Sequence, residues 1–152
     1  MSLGRLEQFP LVKAAGVRVL ALHQWVYERS GGRIGHRILG VPCLLLRTVG
    51  AKTGLTRTNS LTYARDGADY LVVASKGGAP KAPGWYHNLK ANPRVEIQVG
   101  TRKIPVTARA VLPDDDEYPR QWDLVNAGNA DRYRAYQKAT TRPIPVVVLT
   151  PR

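Results

Sequence analysis

The stretch PCLLLRTVGAKTGLTRTNSLTYARDGADYLVVAS, residues 42–75, decides the fold. It holds a short apolar run, a glycine-bounded turn at 50–54, and a run in which apolar and polar residues alternate. Short apolar runs and alternation, bounded by turn residues, are typical of β-strands. Asp66-Gly67 then predicts a tight hairpin. The stretch predicts three successive antiparallel strands, at 42–49, 56–65 and 70–75.

The downstream sequence extends this pattern. A loop rich in glycine and proline at 76–84 leads into a short helical turn at 85–90, and Gly100 separates two further strand-like runs. Two helices are predicted beyond the acidic run 114–116, because negative charge suits a helix N-terminus. Six strands joined by hairpins predict an α+β fold, a small antiparallel barrel with peripheral helices. The added strands are predicted at 94–99, 103–110 and 144–149, and the helices at 117–126 and 131–140.

Residues 10–29 predict an N-terminal amphipathic helix, because apolar residues recur there at intervals of three and four. Pro10 suits its first turn, and Gly31-Gly32 would end it. Its other faces are basic, so the helix either packs on the barrel or lies on an anionic membrane surface. We therefore divide the chain into a helix with its connection, 1–40, packed on or flanking the barrel, and a barrel domain, 41–152. The apolar stripe consists of Val12, Ala15, Val19, Leu22 and Val26.

Composition indicates an anionic partner. The chain carries 23 Lys and Arg residues against 11 Asp and Glu, a formal net charge of +12. Such a charge attracts nucleic acid, an anionic membrane surface or a polyanionic small molecule, and does not choose among them. The lone cysteine, Cys43, excludes an intramolecular disulfide and a cysteine-based zinc site, and the scattered histidines favour no metal site. No signal peptide or membrane-spanning run is evident, so we expect a cytoplasmic location.

Two clusters of glycine, lysine and hydroxyl residues could bind an anionic ring compound. In the turn at 50–54, glycines let backbone N–H groups face an anion, and Lys52 and Thr53 add side-chain donors. Ser75 and Lys76 leave a strand beside the aromatic residues of 85–90, and could hold the polar edge and flat face of a ring. Each cluster alone is also typical of an ordinary turn or surface loop.

A third cluster is a pair of tyrosines on a predicted helix. Tyr133 and Tyr136 are three residues apart, so their rings share one helix face and could form one wall of a pocket. The same spacing is common in ordinary packing. None of the three clusters by itself identifies a cofactor.

The blocks RTVGAKTGLTRTN (47–59), VASKGG (73–78) and WYHNLKANP (85–93) stand in a characteristic order and spacing. Together they resemble the deazaflavin-dependent nitroreductase family of actinobacteria, and the second and third blocks are highly specific. The resemblance covers roughly 42–149. It implies a six-stranded split β-barrel of the FMN-binding type, with coenzyme F420 as cofactor in preference to the ordinary flavins.

The resemblance also implies which residues contact the coenzyme. Its phosphate and oligoglutamate tail would meet a basic turn and the strand beyond it: Ala51, Lys52, Thr53, Arg57, Thr58, Asn59, Ser60, Leu61 and Thr62. Its deazaflavin ring and linker would meet Val73, Ala74, Ser75 and Lys76. The short helix would add Gly84, Trp85, Tyr86, His87 and Asn88. Tyr133 would contact the cofactor, and Tyr136 would lie on the acceptor side. Ala51 stands where many relatives carry a basic residue, and Ala130 where an aromatic is usual.

The implied reaction is hydride transfer between F420 and an apolar conjugated acceptor, such as a quinone or a nitro compound. We expect Ser75 to bond near the reactive edge of the ring, and Tyr133 or Tyr136 to orient the acceptor and supply a proton. Three alternatives remain: an FMN-dependent enzyme on the same barrel, a coenzyme carrier without catalysis, and a nucleic-acid-binding barrel, which the resemblance disfavours. A homodimer is expected by analogy with other split barrels.

Overall fold

The structure, a computed structural model, describes residues 10–38 and 40–152, which form an α+β fold around a curled antiparallel sheet. Residues 1–9 and Leu39 of the N-terminal unit lie outside the described residues, as do the side chains of Val12 and Ala15. The helices are α1 Pro10–Arg29, α2 Gly84–Ala91, α3 Tyr118–Ala127 and α4 Arg132–Lys138, and a 3₁₀ turn spans Lys76–Gly78. The strands are β1 Arg37–Ile38, β2 Val41–Val49, β3 Thr56–Thr62, β4 Ala64–Asp66, β5 Asp69–Val73, β6 Arg94–Val99, β7 Arg102–Val111 and β8 Val146–Pro151.

The expectation of six strands is wrong, because the described residues form seven strands of three or more residues and the two-residue β1. The predicted strand at 56–65 divides at Tyr63 into β3 and β4. β1 arises in the predicted connection, where Gly40 adopts a φ of 79° and turns the chain back so that Arg37 pairs with Pro42. Neither feature changes the α+β class.

The sheet curls because one bent segment joins its two ends. Its strands run in the order β2-β6-β7-β8-β5-β4, and β3 pairs with the other side of β2. β3 and β4 are separated by Tyr63 alone, yet β3 pairs with β2 and β4 pairs with β5. The chain therefore leaves one edge of the sheet and enters the opposite edge within a single residue, as the split-barrel expectation requires.

The core lies on both faces of this curled sheet. Leu44 and Leu46 of β2 are fully buried in the main cluster with Trp85 of α2. A second cluster buries β5 and β8 under α3 and α4. Alternate side chains of a strand point to opposite faces, which places Leu45 of β2 in a third cluster with Tyr27 of α1.

Helix α1 buries Tyr27 against the sheet, whereas Val19 and Leu22 of the predicted apolar stripe remain exposed. Tyr27 is completely buried, and its hydroxyl donates to the carbonyl oxygen of Cys43 at 3.0 Å and accepts from the N–H of Gly100 at 2.9 Å. Val19 and Leu22 of the stripe are each 61% exposed. Within the described residues, no helix is long and apolar enough to cross a membrane.

Candidate functional site

A single large groove brings the predicted site residues together. It has a volume of 1490 Å³ and lies between β3, the 3₁₀ turn, α2 and α4, with α1 along one side. All but two of the predicted residues line it: Ala51, Lys52, Thr53, Arg57, Thr58, Asn59, Ser60, Leu61, Thr62, Val73, Ser75, Lys76, Gly84, Trp85, His87, Asn88, Tyr133 and Tyr136. Segments from Ala51 to Tyr136, which are far apart in the chain, thus meet at one surface.

The two exceptions, Ala74 and Tyr86, lie behind the groove wall. Ala74 is completely buried in the main core, where its N–H donates to the carbonyl oxygen of Pro145 at 3.1 Å. Tyr86 packs in the same cluster, and the ammonium of Lys90 lies 4.8 Å from its ring centroid. Burial raises the pKa of the Tyr86 phenol. Both residues support the wall and do not face the groove.

The turn between β2 and β3 is held in place by Asn88 of α2. The Asn88 carbonyl oxygen accepts from the N–H of Ala51 at 3.0 Å, and its amide nitrogen donates to the hydroxyl of the buried Thr48 at 3.1 Å. Gly50 is needed here because an added Cβ would lie 2.5 Å from the Thr53 hydroxyl oxygen. Asn88 therefore positions the turn, which leaves the exposed Lys52 side chain at the groove.

The 3₁₀ turn after β5 brings left-handed backbone to the groove. Lys76, Gly77 and Gly78 have φ values of 45°, 63° and 79°. At Gly78 a Cβ would lie 2.6 Å from the carbonyl oxygen of Tyr136, so only glycine allows the turn to contact α4 this closely. The contact places Ser75, which is 7% exposed, and Tyr136 in the same part of the groove.

A hydroxyl pair lies where β3 meets α4. The Thr62 and Tyr133 hydroxyl oxygens are 2.7 Å apart, and the two tyrosine rings of α4 lie edge to face with centroids 6.3 Å apart. Burial raises the pKa of the Tyr133 phenol, and hydrogen bonds from Thr62 and Asn129 only partly offset this effect. Tyr133 therefore carries its proton at neutral pH.

Helix α4 is aimed at the groove by two residues in left-handed conformation. Ala130 and Asp131 have φ values of 53° and 56°, which costs about 1 kcal/mol for each residue. The completely buried Asn126 holds this connection, because its side chain donates to the carbonyl oxygen of Trp122 and accepts from the N–H of Arg134. The left-handed Asp131 also explains why α4 begins one residue later than predicted.

The groove carries net positive charge. Lys52, Arg57, Lys76 and Arg132 line it, against one carboxylate, Glu28. The ion pairs formed by the described residues lie elsewhere, between Arg47 and Glu96, Arg109 and Glu117, Arg120 and Asp66, and Arg134 and the pair Asp123 and Asp131. In the described part of the chain, the four cations are therefore not neutralised by salt bridges and can attract an anion.

Several lining residues were not predicted from the sequence. Helix α1 contributes Leu20, Gln24 and Glu28, the connection before α4 contributes Asn129, and α4 itself contributes Arg132. The Gln24 amide donates to the carbonyl oxygen of Thr58 at 2.8 Å and accepts from the N–H of Ser60 at 3.3 Å, as a neighbouring strand would. The four-residue spacing of Leu20, Gln24 and Glu28 is the one signal that could have indicated a shared helix face.

Asn129 is the buried polar residue of the groove whose bonding is incomplete. It is 7% exposed, and no protein group within the described residues bonds its side-chain amide oxygen, Oδ1. Nothing in the sequence distinguished Asn129 from the other polar residues between the two predicted helices. The groove thus combines solvent-accessible cations, a protonated phenol and a buried acceptor atom that suits a ligand donor.

Comparison with known proteins places this chain in a family. Residues 19–151 match the model of the F420H(2)-dependent quinone reductase family. An F420H(2)-dependent quinone reductase of Mycobacterium tuberculosis (strain H37Rv) is 61% identical over 143 residues, which cover 93% of this chain and 96% of that protein.

Two solved structures resemble most of this fold. The structure of an F420-H2 dependent reductase (FDR-A) is 40% identical with a TM-score of 0.64, and the match covers 71% of this chain and 93% of that one. A second structure, described as a domain-swapped dimer, is 38% identical with a TM-score of 0.66 over 83% of this chain and 97% of that one. With its basic groove and curled sheet, this chain belongs to the F420H(2)-dependent quinone reductase family.

Proposed function

We propose that this protein transfers a hydride from reduced coenzyme F420 to a quinone or a similar conjugated, apolar acceptor. The observation that carries the proposal is the meeting, in one groove, of an unpaired basic turn, the Ser75 segment and the tyrosines of α4. The family to which the chain belongs is defined by the same cofactor and acceptor. The protein is thus an F420H2-dependent reductase.

The groove residues fit this coenzyme. Lys52 and Arg57 would hold the phosphate and the carboxylates of the tail, since both are exposed basic residues that line the groove. Trp85 and Val73 are buried apolar residues beside Ser75, and would cover a flat ring. The unbonded side-chain oxygen Oδ1 of Asn129 gives a buried acceptor for a donor on the bound molecules.

The coenzyme supplies the hydride when it is bound, and the protein residues orient the reactants. Ser75, two residues beyond β5, lines the groove and would hydrogen-bond the ring edge. Tyr136 would form the wall on the acceptor side. Tyr133 is a protonated phenol, so it would donate a hydrogen bond to the oxygen of an acceptor that gains negative charge, and would pass on its proton once that oxygen is a stronger base than the phenolate.

The proposal is tested by anaerobic turnover with a soluble quinone such as menadione. We expect reduced F420 to be consumed in step with quinone, and reduced FMN at matched concentration to give no enzyme-dependent rate. Turnover with FMN alone would replace the proposed cofactor. Binding of F420 without turnover of quinones or nitro compounds would make the protein a carrier.

A peripheral membrane location at the inner face of the cytoplasmic membrane is proposed from α1. Val19, Leu20, Leu22 and Trp25 are all more than half exposed, and Arg18 and Arg29 on the same helix are exposed cations. Exposed apolar side chains flanked by arginines suit an anionic lipid surface, where quinones also dissolve. Flotation with phosphatidylglycerol vesicles tests this, with phosphatidylcholine vesicles as control. Equal recovery with the two lipids would contradict it.

A homodimer is proposed as the solution state. The relative described as a domain-swapped dimer is 38% identical and matches 97% of its own length to this chain. Sedimentation velocity should give a mass near twice the 16.8 kDa of the monomer. A monomer at all concentrations would contradict the proposal.

A further inference from the structure

Arg142 bonds the backbone of residues 74–79, the segment after β5 that includes the groove residues Ser75 and Lys76. Its guanidinium donates three hydrogen bonds to backbone carbonyl oxygens, to Ala79 at 2.9 Å, to Ala74 at 3.1 Å and to Ser75 at 2.7 Å. The salt bridges among the described residues do not include Arg142. Neutral carbonyl acceptors do not cancel the charge of the guanidinium as a carboxylate would. The peptide groups that it bonds therefore lie next to an uncompensated positive charge.

The trans geometry of the peptide bond determines which groups face the side of residues 74–76 opposite to Arg142. The described residues contain no cis peptide, so in each peptide unit the N–H points opposite to the C=O. The carbonyl of Ala74 shares its peptide with the N–H of Ser75, and the carbonyl of Ser75 shares its peptide with the N–H of Lys76. These two N–H groups therefore point away from Arg142, and their residues line the groove.

The backbone conformation brings the two N–H groups to a common side. Ser75 has a right-handed helical conformation, with φ −85° and ψ −40°, and Lys76 has a left-handed one, with φ 45°. Consecutive right- and left-handed residues turn successive N–H groups toward one concavity, which attracts negative charge. A non-glycine residue held in left-handed conformation also requires support from its surroundings, which the bonds of Arg142 provide.

The backbone of Arg142 is fixed in turn by α4. The Gln137 amide donates to the carbonyl oxygen of Arg142 at 2.9 Å, and its own oxygen accepts from the N–H of Ile144 at 2.9 Å. Gln137 follows Tyr136, whose backbone contacts Gly78. Arg142 therefore couples α4 to the segment that ends β5.

We propose that Arg142 is a positioning residue for the coenzyme, acting through the peptide groups of Ser75 and Lys76. Its hydrogen bonds hold the turn and polarise both peptides, which strengthens their N–H groups as donors to the electron-rich edge of the ring. Arg142 itself does not touch the coenzyme. The inference rests on the proposed function, because it requires F420 in this groove.

The test compares Arg142→Met and Arg142→Lys with a matched control, Arg152→Met. The Arg152 guanidinium also donates to two backbone carbonyl oxygens, those of Val106 and Val95, but it does not line the groove. Affinities for oxidised and for reduced F420 are measured by anaerobic fluorescence and absorbance titration, and folding by thermal melting. If the unsubstituted protein binds no F420, the proposed function fails, and that result is separate from the comparison of variants.

We expect Arg142→Met to weaken binding of F420 by about tenfold or more, the loss that corresponds to about 1.4 kcal/mol. Binding of reduced F420 should be weakened more than binding of oxidised F420. The added hydride makes the ring more electron-rich, so the positive charge of Arg142 favours the reduced form. The affinity of Arg142→Lys for F420 should lie between those of the unsubstituted protein and Arg142→Met, since an ammonium keeps the charge but lacks the planar arrangement of donors. Arg152→Met should bind like the unsubstituted protein.

Unchanged affinity in a folded Arg142→Met protein would overturn the proposal. Equal weakening of both redox forms would also overturn it, because a guanidinium that only held the loop would affect both alike. If Arg142→Met does not fold, Arg142→Lys provides the test. An affinity equal to that of the unsubstituted protein for both redox forms would overturn the proposal. A larger loss of affinity for the reduced form than for the oxidised form would support it.

Discussion

The hydroxyl oxygens of Thr62 and Tyr133 lie 2.7 Å apart, which joins the end of β3 to the first turn of α4. The two residues are 71 positions apart in the chain. Their bond holds the phenol at the groove and, with Asn129, partly offsets the burial that raises its pKa. A protonated phenol in a fixed position is the group that the proposed reaction would use as hydrogen-bond and proton donor to the acceptor.

Replacing Tyr133 with Phe should lower turnover more than it lowers affinity for F420. The substitution removes the proton and the hydrogen bond to the acceptor, and keeps the ring that packs on Tyr136. We expect kcat to fall about a hundredfold, in the range typical of a lost proton donor. Stopped-flow oxidation of reduced F420 by menadione, with a separate binding titration, measures both quantities.

The control for this substitution is Tyr118→Phe, which removes a buried hydroxyl outside the groove. The Tyr118 hydroxyl donates to the carbonyl oxygen of Ile144 at 2.7 Å. Turnover should stay unchanged in this variant. An equal fall in turnover in both variants, or no fall in Tyr133→Phe, would remove the Tyr133 hydroxyl from the mechanism.

The sequence predicted the class of the fold and most of its elements, because these depend on local periodicity. α1 was predicted at the bounds it has, and β6 likewise. The bend at Tyr63 was not predictable, since it depends on pairing with β2 on one side and β5 on the other. The buried face of α1 was also missed, because one large residue, Tyr27, contributes the contact that the apolar stripe was expected to make.

Asn88→Ala should weaken F420 binding even though the Asn88 amide is engaged by the protein. The substitution leaves the N–H of Ala51 and the hydroxyl of Thr48 without their partner, so the basic turn loses its fixed position. We expect about a tenfold loss of affinity and a loss of about 1–2 kcal/mol in the free energy of unfolding. Titration with F420 and urea denaturation measure the two effects.

Asn92→Ala is the matched control, because Asn92 is an exposed asparagine at the end of the same helix. It should bind F420 normally. If Asn88→Ala also bound F420 normally, the turn would not depend on this amide, and the positioning role would be wrong.

Charge removal in the groove should change the salt dependence of binding. The double substitution Lys52→Gln and Arg57→Gln removes two exposed cations that lie outside the described ion pairs. We expect affinity for F420 to fall about tenfold or more at low salt, and the decline of affinity with added salt to become shallower. Arg94→Gln and Arg102→Gln, which remove exposed cations outside the groove, should have little effect. Equal losses in the two pairs would indicate attraction by overall charge alone.

Stability should fall in alkali as Tyr118 ionises. Burial raises the pKa of Tyr118 from its ordinary value of 10.0 to about 12, so its neutral form stabilises the folded state. This contribution is complete below pH 10 and is lost as pH rises toward 12, a change of about 2 kcal/mol. Urea denaturation from pH 8 to pH 11.5 measures it, and Tyr118→Phe should show a weaker decline. Parallel declines in the two proteins would contradict the assignment.

The family and its cofactor were identified from three short blocks, and the comparisons confirm both. The blocks could not show which residues act indirectly. Asn88 and Ala74 stand within them, yet the structure shows one fixing a turn and the other buried behind the wall. Gln24 and Asn129 were missed because their roles depend on contacts between distant segments.

The most direct test of the central claim is a fluorescence titration of the protein with oxidised F420, run in parallel with FMN. It measures cofactor recognition before any acceptor is chosen. We predict saturable binding of F420 with a Kd in the micromolar range, and no saturable binding of FMN at the same concentrations. Binding of FMN in preference to F420, or of neither, would contradict the account.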